Sequence, residues 1–232
     1  MFSLLKVVPL GRAVSRERTI PFGQFVTQPS VRYDRVLLTT EINISSVKVA
    51  RGKQQNLAQP TWVFGYGSLI YKVDFPYLER RIASITGWQR RFWQGSHDHR
   101  GTPDAPGRVV TLLPARAVVC RGVAYRVEHS VFEHLDFREK NGYQRLPTPI
   151  TLEAPNESVA GVVYVADCDN SAYLGPAPMA QLANHIAASQ GPSGSNRDYV
   201  LQLAEALREL GDDDPHVLAL ETLLTGAGKP AH

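Results

Sequence analysis

Cysteine is scarce in this sequence, and long apolar runs are missing from it. Two cysteines, Cys120 and Cys168, occur in 232 residues, which excludes a disulfide-rich scaffold and favours a reduced, intracellular protein. A disulfide between them stays open at this point, although filling space is the role we expect of both thiols. No stretch approaches the ~18 apolar residues that a membrane-spanning helix requires, so we expect no association with a membrane.

Acidic residues are scarce in the first 60 positions. This segment holds nine Lys and Arg against three Asp and Glu, whereas the remainder holds sixteen against nineteen. The net charges of these two parts are +6 and −3, so the net positive charge of the chain comes from its N-terminal segment. The remainder therefore lacks the basic balance of a nucleic-acid-binding domain, and we expect no nucleic-acid partner.

The N-terminal segment also differs from the rest in pattern. Its opening, "MFSLLKVVPLGRAVSRERT", combines apolar residues with Arg and Ser, a composition typical of an organelle transit peptide. A disordered tail and an upstream translation start are the alternatives. We therefore predict an N-terminal extension over 1–60, a single domain over 61–226 and a short tail over 227–232. The predicted location is the cytosol, or the mitochondrion if the extension is a transit peptide.

Short strand patterns begin at Thr61. They are rich in Val, Thr and aromatic residues, and clusters of Gly, Pro or Asp separate them. Closely spaced strands without long helices between them favour an antiparallel sheet or a small barrel. The strand segments are "TWVFGYGSL", "SITGWQRRFWQG", "GRVVTLL", "AVVCRGVAYRV" and "VAGVVYVAD". A further strand after Tyr143 contains Pro147 and Pro149, which predicts an edge strand or a bulge.

Helical patterns dominate the C-terminal third, which makes the predicted fold class α+β. Asn196 is the predicted N-cap of one helix, and Gly211 is its predicted end. Asp214 is the predicted cap of a second helix, which has Pro215 in its first turn. A short helix is predicted over Val131–Glu139, and the segment "CDNSAYLGPAP" is predicted to be a loop.

The segment from Trp62 to Ile70, "WVFGYGSLI", is an apolar run that ends on two glycines. A strand that stops on Gly-Tyr-Gly-Ser presents consecutive backbone N–H groups, which form a concave nest suited to a carboxylate or an oxyanion. The alternative is an ordinary tight turn. The segment is not a dinucleotide fingerprint, which needs a third glycine and a following helix, and it lacks the Gly-Lys-Ser/Thr of a phosphate-binding loop.

Glu139 in "LDFREKNGY" is a candidate for acid–base chemistry. Its neighbours Arg138 and Lys140 make the pattern typical of a solvated helix face. In a pocket, however, the same carboxylate would serve as a general base.

The segment "GSHDHRGTPDAPGR" contains His97, Asp98 and His99. On an extended backbone the two histidines share a face and could bind a metal. Because no further Cys or His cluster completes such a site, we expect no metal and a loop held by side-chain hydrogen bonds. The chain also lacks a Gly-x-Ser-x-Gly elbow and a reactive-cysteine signature, so covalent catalysis has no candidate of the usual form.

In their order along the chain, these motifs resemble the ChaC family of glutathione-specific γ-glutamylcyclotransferases. The resemblance rests on "VFGYGSLI", "RRFWQGS", "DHRGTP", "APGRVVTLL", "GVAYR", "LDFREKNGY", "CDNSAYLGPAP" and "GPSG". It covers nearly all of 62–224 and leaves residues 1–60 outside. It implies a γ-glutamylcyclotransferase-like fold, in which a small, mostly antiparallel β-barrel is flanked by helices and followed by a helical C-terminal part.

The resemblance also implies an activity. A lyase of this family releases 5-oxoproline and cysteinylglycine from reduced glutathione, without a metal or an organic cofactor. The implied general base is Glu139, and the implied substrate-binding residues are Val63, Phe64, Gly65, Tyr66, Gly67, Ser68 and Tyr143. Two alternatives stay open: a cyclotransferase for other γ-glutamyl peptides or amines, and a non-catalytic binding or transport-regulating protein. Glutathione is the implied partner, and the oligomeric state is open, a monomer being compatible with the sequence.

The implied chemistry places a requirement on the pKa of Glu139. Proton transfer from an α-ammonium group with a pKa near ~8 to a Glu with a pKa near ~4.3 is uphill by ~3.7 pKa units, or about 5 kcal/mol. Burial would raise the pKa of Glu139 and narrow this gap. We therefore predict a raised pKa, with Arg138 and Lys140 pointing away from the carboxylate. The aromatic residues expected to bury it are Tyr66, Phe92 and Tyr143.

Overall fold

The computed structural model describes residues 59–226, and a closed β-barrel lies at its centre. The barrel strands are β1 (Thr61–Gly65), β2 (Glu79–Ser96), β3 (Gly107–Val127), β4 (Tyr143–Leu152) and β5 (Glu157–Ala166). Their order is β1, β3, β2, β4, β5, and β5 returns to pair with β1. This last pair is parallel, whereas the other pairs are antiparallel. The predicted small, mostly antiparallel barrel is therefore confirmed.

β2 and β3 pair antiparallel along most of their lengths. The segments "GRVVTLL" and "AVVCRGVAYRV" are both parts of β3, so the prediction that they form separate strands was wrong. Pro114 lies between them and is paired with Trp88, next to a register shift between Thr86 and Trp88. An irregularity of this kind tolerates a residue that cannot donate a ladder hydrogen bond, and the strand continues through the proline.

β4 contains the two prolines that predicted an edge. It pairs with β5 over its whole length, but with β2 only at Thr151 and Leu152. Pro147 and Pro149 thus lie where the other side of β4 pairs with no strand of the described residues. Because the two prolines are two positions apart, both missing N–H groups fall on the same side of the strand, which leaves the ladder with β5 intact. β4 as a whole is not an edge strand, because its last two residues pair with β2, but its proline-containing part has the one-sided pairing that the prolines predicted.

Four helices occur in the described residues, namely α1 (Val131–Arg138), α2 (Met179–Ala188), α3 (Asn196–Glu209) and α4 (Pro215–Thr225). Two short strands, β6 (Gln190–Gly191) and β7 (Gly194–Ser195), pair between α2 and α3. Sequence patterns did not predict α2, because its N-cap is Pro178, which offers no capping side chain and hence no start signal.

The N-cap of α3 is Ser195 and not Asn196, so that prediction was wrong by one residue. The Ser195 hydroxyl accepts a hydrogen bond from Asp198 N at 3.0 Å. Asn196 is buried and instead binds the backbone of Arg108 in β3, accepting from its N–H at 2.6 Å and donating to its carbonyl at 2.7 Å. This tertiary contact competes with the cap position for the same side chain.

The C-terminal end of α3 and the N-terminal start of α4 agree with the sequence patterns. Gly211 lies two residues after the end of α3, next to the C-cap Leu210, and has a φ of 70°, a left-handed conformation that favours glycine. Asp214 caps α4 by accepting hydrogen bonds from the N–H groups of His216 and Val217, at 3.0 Å and 3.1 Å. Both predictions are confirmed.

One apolar core joins the barrel to the helices, with Phe64 of β1 and Leu203 of α3 among its members. Cys120 is buried in this core, whereas Cys168 is exposed in the loop after β5, and both thiols are free. The expectation that both cysteines fill space was therefore wrong for Cys168. Cys168 follows an apolar strand closely in the sequence, and for this reason it was taken for a buried residue although it lies in the loop after the strand.

The predicted transit peptide or disordered extension and the tail over 227–232 lie outside the described residues. Within 59–226, no helix combines the length and the hydropathy needed to cross a bilayer.

Candidate functional site

A loop with open backbone amides follows β1. The N–H groups of Tyr66, Gly67 and Ser68 donate to no acceptor in residues 59–226. The carbonyls of Gly67 and Ser68, in contrast, accept the hydrogen bonds of a short 3₁₀ helix, Ser68–Ile70. The loop therefore presents consecutive donors, which is the geometry that an anion nest requires.

Glycine is required in this loop because there is no room for a side chain. A Cβ at Gly65 would lie 2.6 Å from Leu69 Cβ. A Cβ at Gly67 would lie 2.9 Å from Val110 Cγ1 and 3.2 Å from the Tyr199 hydroxyl. Both glycines thus allow the loop to pack closely while its amides stay uncovered.

Glu139 ends α1, and its side chain is mostly buried. The residue is the C-cap of the helix, where its N–H donates to Leu135 O at 2.9 Å, and its side chain is 18% exposed. Burial raises the pKa of Glu139; Arg138 opposes this rise, and the carboxylates of Asp74 and Asp98 reinforce it. The predicted direction of the pKa shift is confirmed.

The two basic neighbours of Glu139 behave differently from each other. Arg138 does not point away, since its Nε lies 3.3 Å from Glu139 Oε1 and its Nη2 donates to Ser68 Oγ at 3.1 Å. The prediction for Arg138 was wrong because its guanidinium bridges the helix end and the glycine loop. Lys140 does point away, with its Nζ 4.3 Å from the centroid of the Phe137 ring.

The turn after Glu139 has a defined shape. Gly142 has a φ of 90°, and a Cβ there would lie 2.6 Å from the Asn170 side chain. The fully buried Gln94 donates to Asn141 O at 3.1 Å and exchanges two hydrogen bonds of 3.1 Å with the Asn170 side chain. The segment "CDNSAYLGPAP", predicted only as a loop, therefore supports the turn that carries the candidate base.

Glu139 lies between two adjoining cavities. An inner cavity of about 60 Å³ is bounded by the glycine loop, and an outer cavity has about 270 Å³. Four residues line both: Ser68, Glu139, Tyr143 and Tyr199. The inner cavity thus brings Glu139 together with six of the seven predicted substrate-binding residues, which are Phe64, Gly65, Tyr66, Gly67, Ser68 and Tyr143.

Val63 is the predicted substrate-binding residue that the structure does not bring to either cavity. It is fully buried in β1, where it pairs with Tyr125 of β3 and Val162 of β5. Because Val63 lies in the barrel core, its role is packing. It is part of the matched motif because the motif includes the strand that precedes the glycine loop.

Buried tyrosines surround Glu139 in the inner cavity. The Tyr66 hydroxyl donates to Tyr164 O at 2.8 Å, and the Tyr143 hydroxyl donates to Val110 O at 3.2 Å. Burial raises the pKa of both Tyr66 and Tyr143, and the negative charge of Glu139 adds to the rise. Both hydroxyls are therefore neutral donors at physiological pH.

Tyr199 was not among the predicted site residues. It lies in α3 at the spacing of the core leucines, so the sequence pattern indicated packing and contained no signal for a cavity position. Phe92, which was expected to bury Glu139, is outside both cavities and packs its ring 5.8 Å from that of Tyr199. Phe92 therefore contributes to the site indirectly, by packing against Tyr199.

The segment with His97, Asp98 and His99 is a loop held by side-chain hydrogen bonds, as expected. Asp98 accepts from Asn141 Nδ2 at 2.7 Å, and His99 Nδ1 lies 3.2 Å from Ser193 Oγ. In the part of the chain that the structure describes, no group of three or more His, Cys, Asp or Glu side chains is arranged to hold a metal ion.

The chain is similar to known γ-glutamylcyclotransferases in sequence and in structure. The family model described as "ChaC-like protein" matches residues 61–226. "Gamma-glutamylcyclotransferase 2-3" from Arabidopsis thaliana is 49% identical over 170 residues, covering 68% of this chain and 85% of the relative. "Glutathione-specific gamma-glutamylcyclotransferase 1" from Danio rerio is 40% identical over 178 residues, covering 73% and 91%. The crystal structure of a γ-glutamyl cyclotransferase specific to glutathione from yeast has a TM-score of 0.68 and 33% identity, covering 72% of this chain and 96% of that one. The chain belongs to the ChaC-like protein family.

Proposed function

We propose that this chain cleaves reduced glutathione to 5-oxoproline and cysteinylglycine, with Glu139 as the general base. The relatives from Danio rerio and yeast are named as specific for glutathione. One observation carries the proposal: Glu139, a mostly buried carboxylate with a raised pKa, shares a small cavity with the open amides of the glycine loop. We assign the γ-glutamyl group of the substrate to this inner cavity.

The reaction is an intramolecular cyclisation. The α-amine attacks the γ-carbonyl carbon of the same glutamyl residue, so that a new C–N bond closes a five-membered ring and the amide bond between the γ-carbonyl carbon and the cysteine nitrogen breaks. The α-ammonium group loses two protons, and Glu139 transfers them to the leaving nitrogen, which becomes the ammonium group of cysteinylglycine. Water is not consumed. Because both reacting groups belong to one molecule, correct orientation can replace several kcal/mol of barrier.

The environment of Glu139 suits a base that works on an ammonium group. An ordinary Glu would accept the proton about 5 kcal/mol uphill. Burial raises the pKa of Glu139 and reduces this cost, while Arg138 limits the rise. Arg138 therefore helps to keep the carboxylate anionic, which a general base must be at the start of the reaction.

The open amides suit the anionic parts of the substrate. In the proposed complex, the N–H groups of Tyr66, Gly67 and Ser68 donate to the glutamyl α-carboxylate and to the oxyanion that develops on the γ-carbonyl oxygen. No protein acceptor of the described residues competes for these donors. Substrate binding therefore costs no internal hydrogen bond.

The proposal is tested by measuring 5-oxoproline release from reduced glutathione. The full chain should turn over glutathione, and Glu139→Gln should lower kcat by about 10²- to 10⁴-fold. Glu133→Gln changes an exposed carboxylate on the same helix and should stay within about twofold of the parent.

A folded parent that releases no 5-oxoproline from glutathione would overturn the substrate assignment. Turnover of other γ-glutamyl peptides or amines by that protein would then establish the alternative cyclotransferase. Binding of glutathione without any turnover would establish the non-catalytic alternative.

We also propose that 61–226 is the catalytic unit. A protein that starts at Thr61 should cleave glutathione at the rate of the full chain, and a slower rate would show that the preceding segment contributes. The cytosolic location, with the mitochondrion as the alternative, stays a prediction that imaging of the full chain with a C-terminal tag would test.

A further inference from the structure

We propose that Arg100 binds the C-terminal carboxylate of the substrate, and that the enzyme thereby selects γ-glutamyl peptides that end in a free carboxylate. The inference rests on the proposed function. It concerns the part of the substrate that extends beyond the γ-glutamyl group.

The outer cavity is the place for this part of the substrate. Glu139 lines both cavities, so a γ-glutamyl group in the inner cavity directs the leaving dipeptide into the outer one. Two extended residues span ~7 Å, so the terminal carboxylate lies about that far from the γ-carbonyl carbon. The charged residues around the outer cavity, besides Glu139, are Lys72, Asp74, Asp98, Arg100 and Arg138.

Arg100 is a nearly buried cation that has no carboxylate partner among the described residues. Its exposed fraction is 8%, and no carboxylate in residues 59–226 lies within 4 Å of its guanidinium. Arginine is rarely buried in proteins unless it is paired. Its side chain donates one hydrogen bond, from Nη1 to Ser195 O at 3.0 Å, so most of its five N–H donors stay available to a ligand in the cavity.

The surroundings of Arg100 hold the guanidinium in place without neutralising it. Ser195 is the N-cap of α3, and the N-terminal end of a helix is itself positive. The Tyr199 ring lies 5.4 Å from the guanidinium carbon, and the Arg100 N–H donates to Ser96 Oγ at 3.0 Å. The region therefore stays positive and ordered, which favours an anionic ligand.

The other two cations of the outer cavity are less suitable. Arg138 is already occupied by Asp74, Ser68 and Glu139. Lys72 is exposed, and ordering its long side chain around a ligand would cost conformational entropy. A planar guanidinium can also bind both oxygens of a carboxylate at once, which an ammonium group cannot do.

The proposal predicts a substrate preference. Glutathione ends in a carboxylate that Arg100 can bind, whereas a γ-glutamyl amine or a peptide amide leaves this cation buried and unpaired. Such compounds should bind more weakly, although the γ-glutamyl group and its chemistry are the same. The preference therefore separates glutathione from the amine substrates that the sequence alone leaves open.

The test compares glutathione with its C-terminal amide in two proteins. In the parent, the amide should have a KM about tenfold to a hundredfold higher, the effect of losing a charged hydrogen-bonded pair. Arg100→Gln should raise the KM for glutathione by a similar factor and leave the KM for the amide within about twofold. The kcat values should change little, because this contact is remote from the reacting bonds.

Two further variants keep the proposal falsifiable. Arg100→Lys retains the charge if Arg100→Gln fails to fold, and it should raise the KM for glutathione but not that for the amide. Lys72→Gln should affect acid and amide alike. An equal loss on both substrates in the Arg100 variants, or an acid-specific loss in Lys72→Gln, would overturn the proposal. Turnover of glutathione by the parent tests the proposed function separately.

Discussion

Arg90 and Tyr66 are joined by a buried hydrogen bond, in which Arg90 Nε donates to the Tyr66 carbonyl oxygen at 2.8 Å. In a trans peptide the C=O and the following N–H point in opposite directions, so this bond turns the Gly67 N–H to the other side of the loop. Arg90 Nη1 also contacts Asp212 at 3.0 Å and Asp214 at 3.2 Å. One buried cation thus links the amide loop to the N-cap of α4.

Replacement of this cation should destabilise the whole domain. Arg90→Met leaves Asp212 and Asp214 without their buried partner, and we expect the free energy of unfolding to fall by about 3–5 kcal/mol. Urea unfolding measures the change. Arg116→Met, an exposed site on β3, is the control and should stay within about 0.5 kcal/mol of the parent. Equal midpoints for the two variants would contradict the prediction.

Glu139→Gln should make the protein more stable at neutral pH. Burial raises the pKa of Glu139 in the folded state above its unfolded value, so the folded protein binds the proton more tightly. The carboxylate therefore costs no stability below the unfolded pKa, and destabilises the fold as pH rises through the folded pKa. Thermal unfolding between about pH 4 and pH 8 should show an advantage of the Gln variant that grows with pH. A difference that does not depend on pH would refute this account.

Arg138→Gln should move the acid limb of the pH–rate profile. A general base acts when deprotonated, so the acid limb of kcat/KM reports the pKa of Glu139 in the free enzyme. Arg138 lowers that pKa, and its removal should shift the limb to higher pH. Arg145→Gln, which removes a cation that pairs with Asp136, is the control and should leave the limb in place. A limb that stays fixed in Arg138→Gln would mean that Glu139 is not the titrating base.

Gly67→Ala should impair activity because of crowding in the inner cavity. The added methyl group would lie 2.9 Å from Val110 Cγ1 and 3.2 Å from the Tyr199 hydroxyl, and overpacking of this kind costs about 1–3 kcal/mol. We expect kcat/KM for glutathione to fall about tenfold or more. The double variant with Val110→Ala removes the closest contact and should recover part of the loss. If the double variant is no better than Gly67→Ala, crowding is not the cause.

Local patterns predicted much of the fold, because they depend on neighbours along the chain. The cap at Asp214, the stop at Gly211 and the one-sided pairing at Pro147 and Pro149 follow from side-chain and backbone chemistry within a few residues. The glycine loop and Glu139 were likewise found as candidates from short motifs. That the loop and Glu139 share one cavity was implied only by the family resemblance, because Gly65 and Glu139 are 74 positions apart and no local pattern connects them.

The sequence by itself determined the residue types of the site, the α+β composition and the family resemblance. Only the tertiary structure decided which other side chains join the site, because closure of the barrel and docking of α3 bring distant segments together. In the sequence, Tyr199 has the spacing of a core residue. Only the position of α3 in the fold shows that this side chain lines the cavity beside the glycine loop. Arg138 was expected to turn outward, but its guanidinium contacts Glu139 and donates a hydrogen bond to Ser68 of the glycine loop. Arg100 is an ordinary loop residue in the sequence, and its burial without a counter-charge from residues 59–226 makes it a candidate to bind a carboxylate.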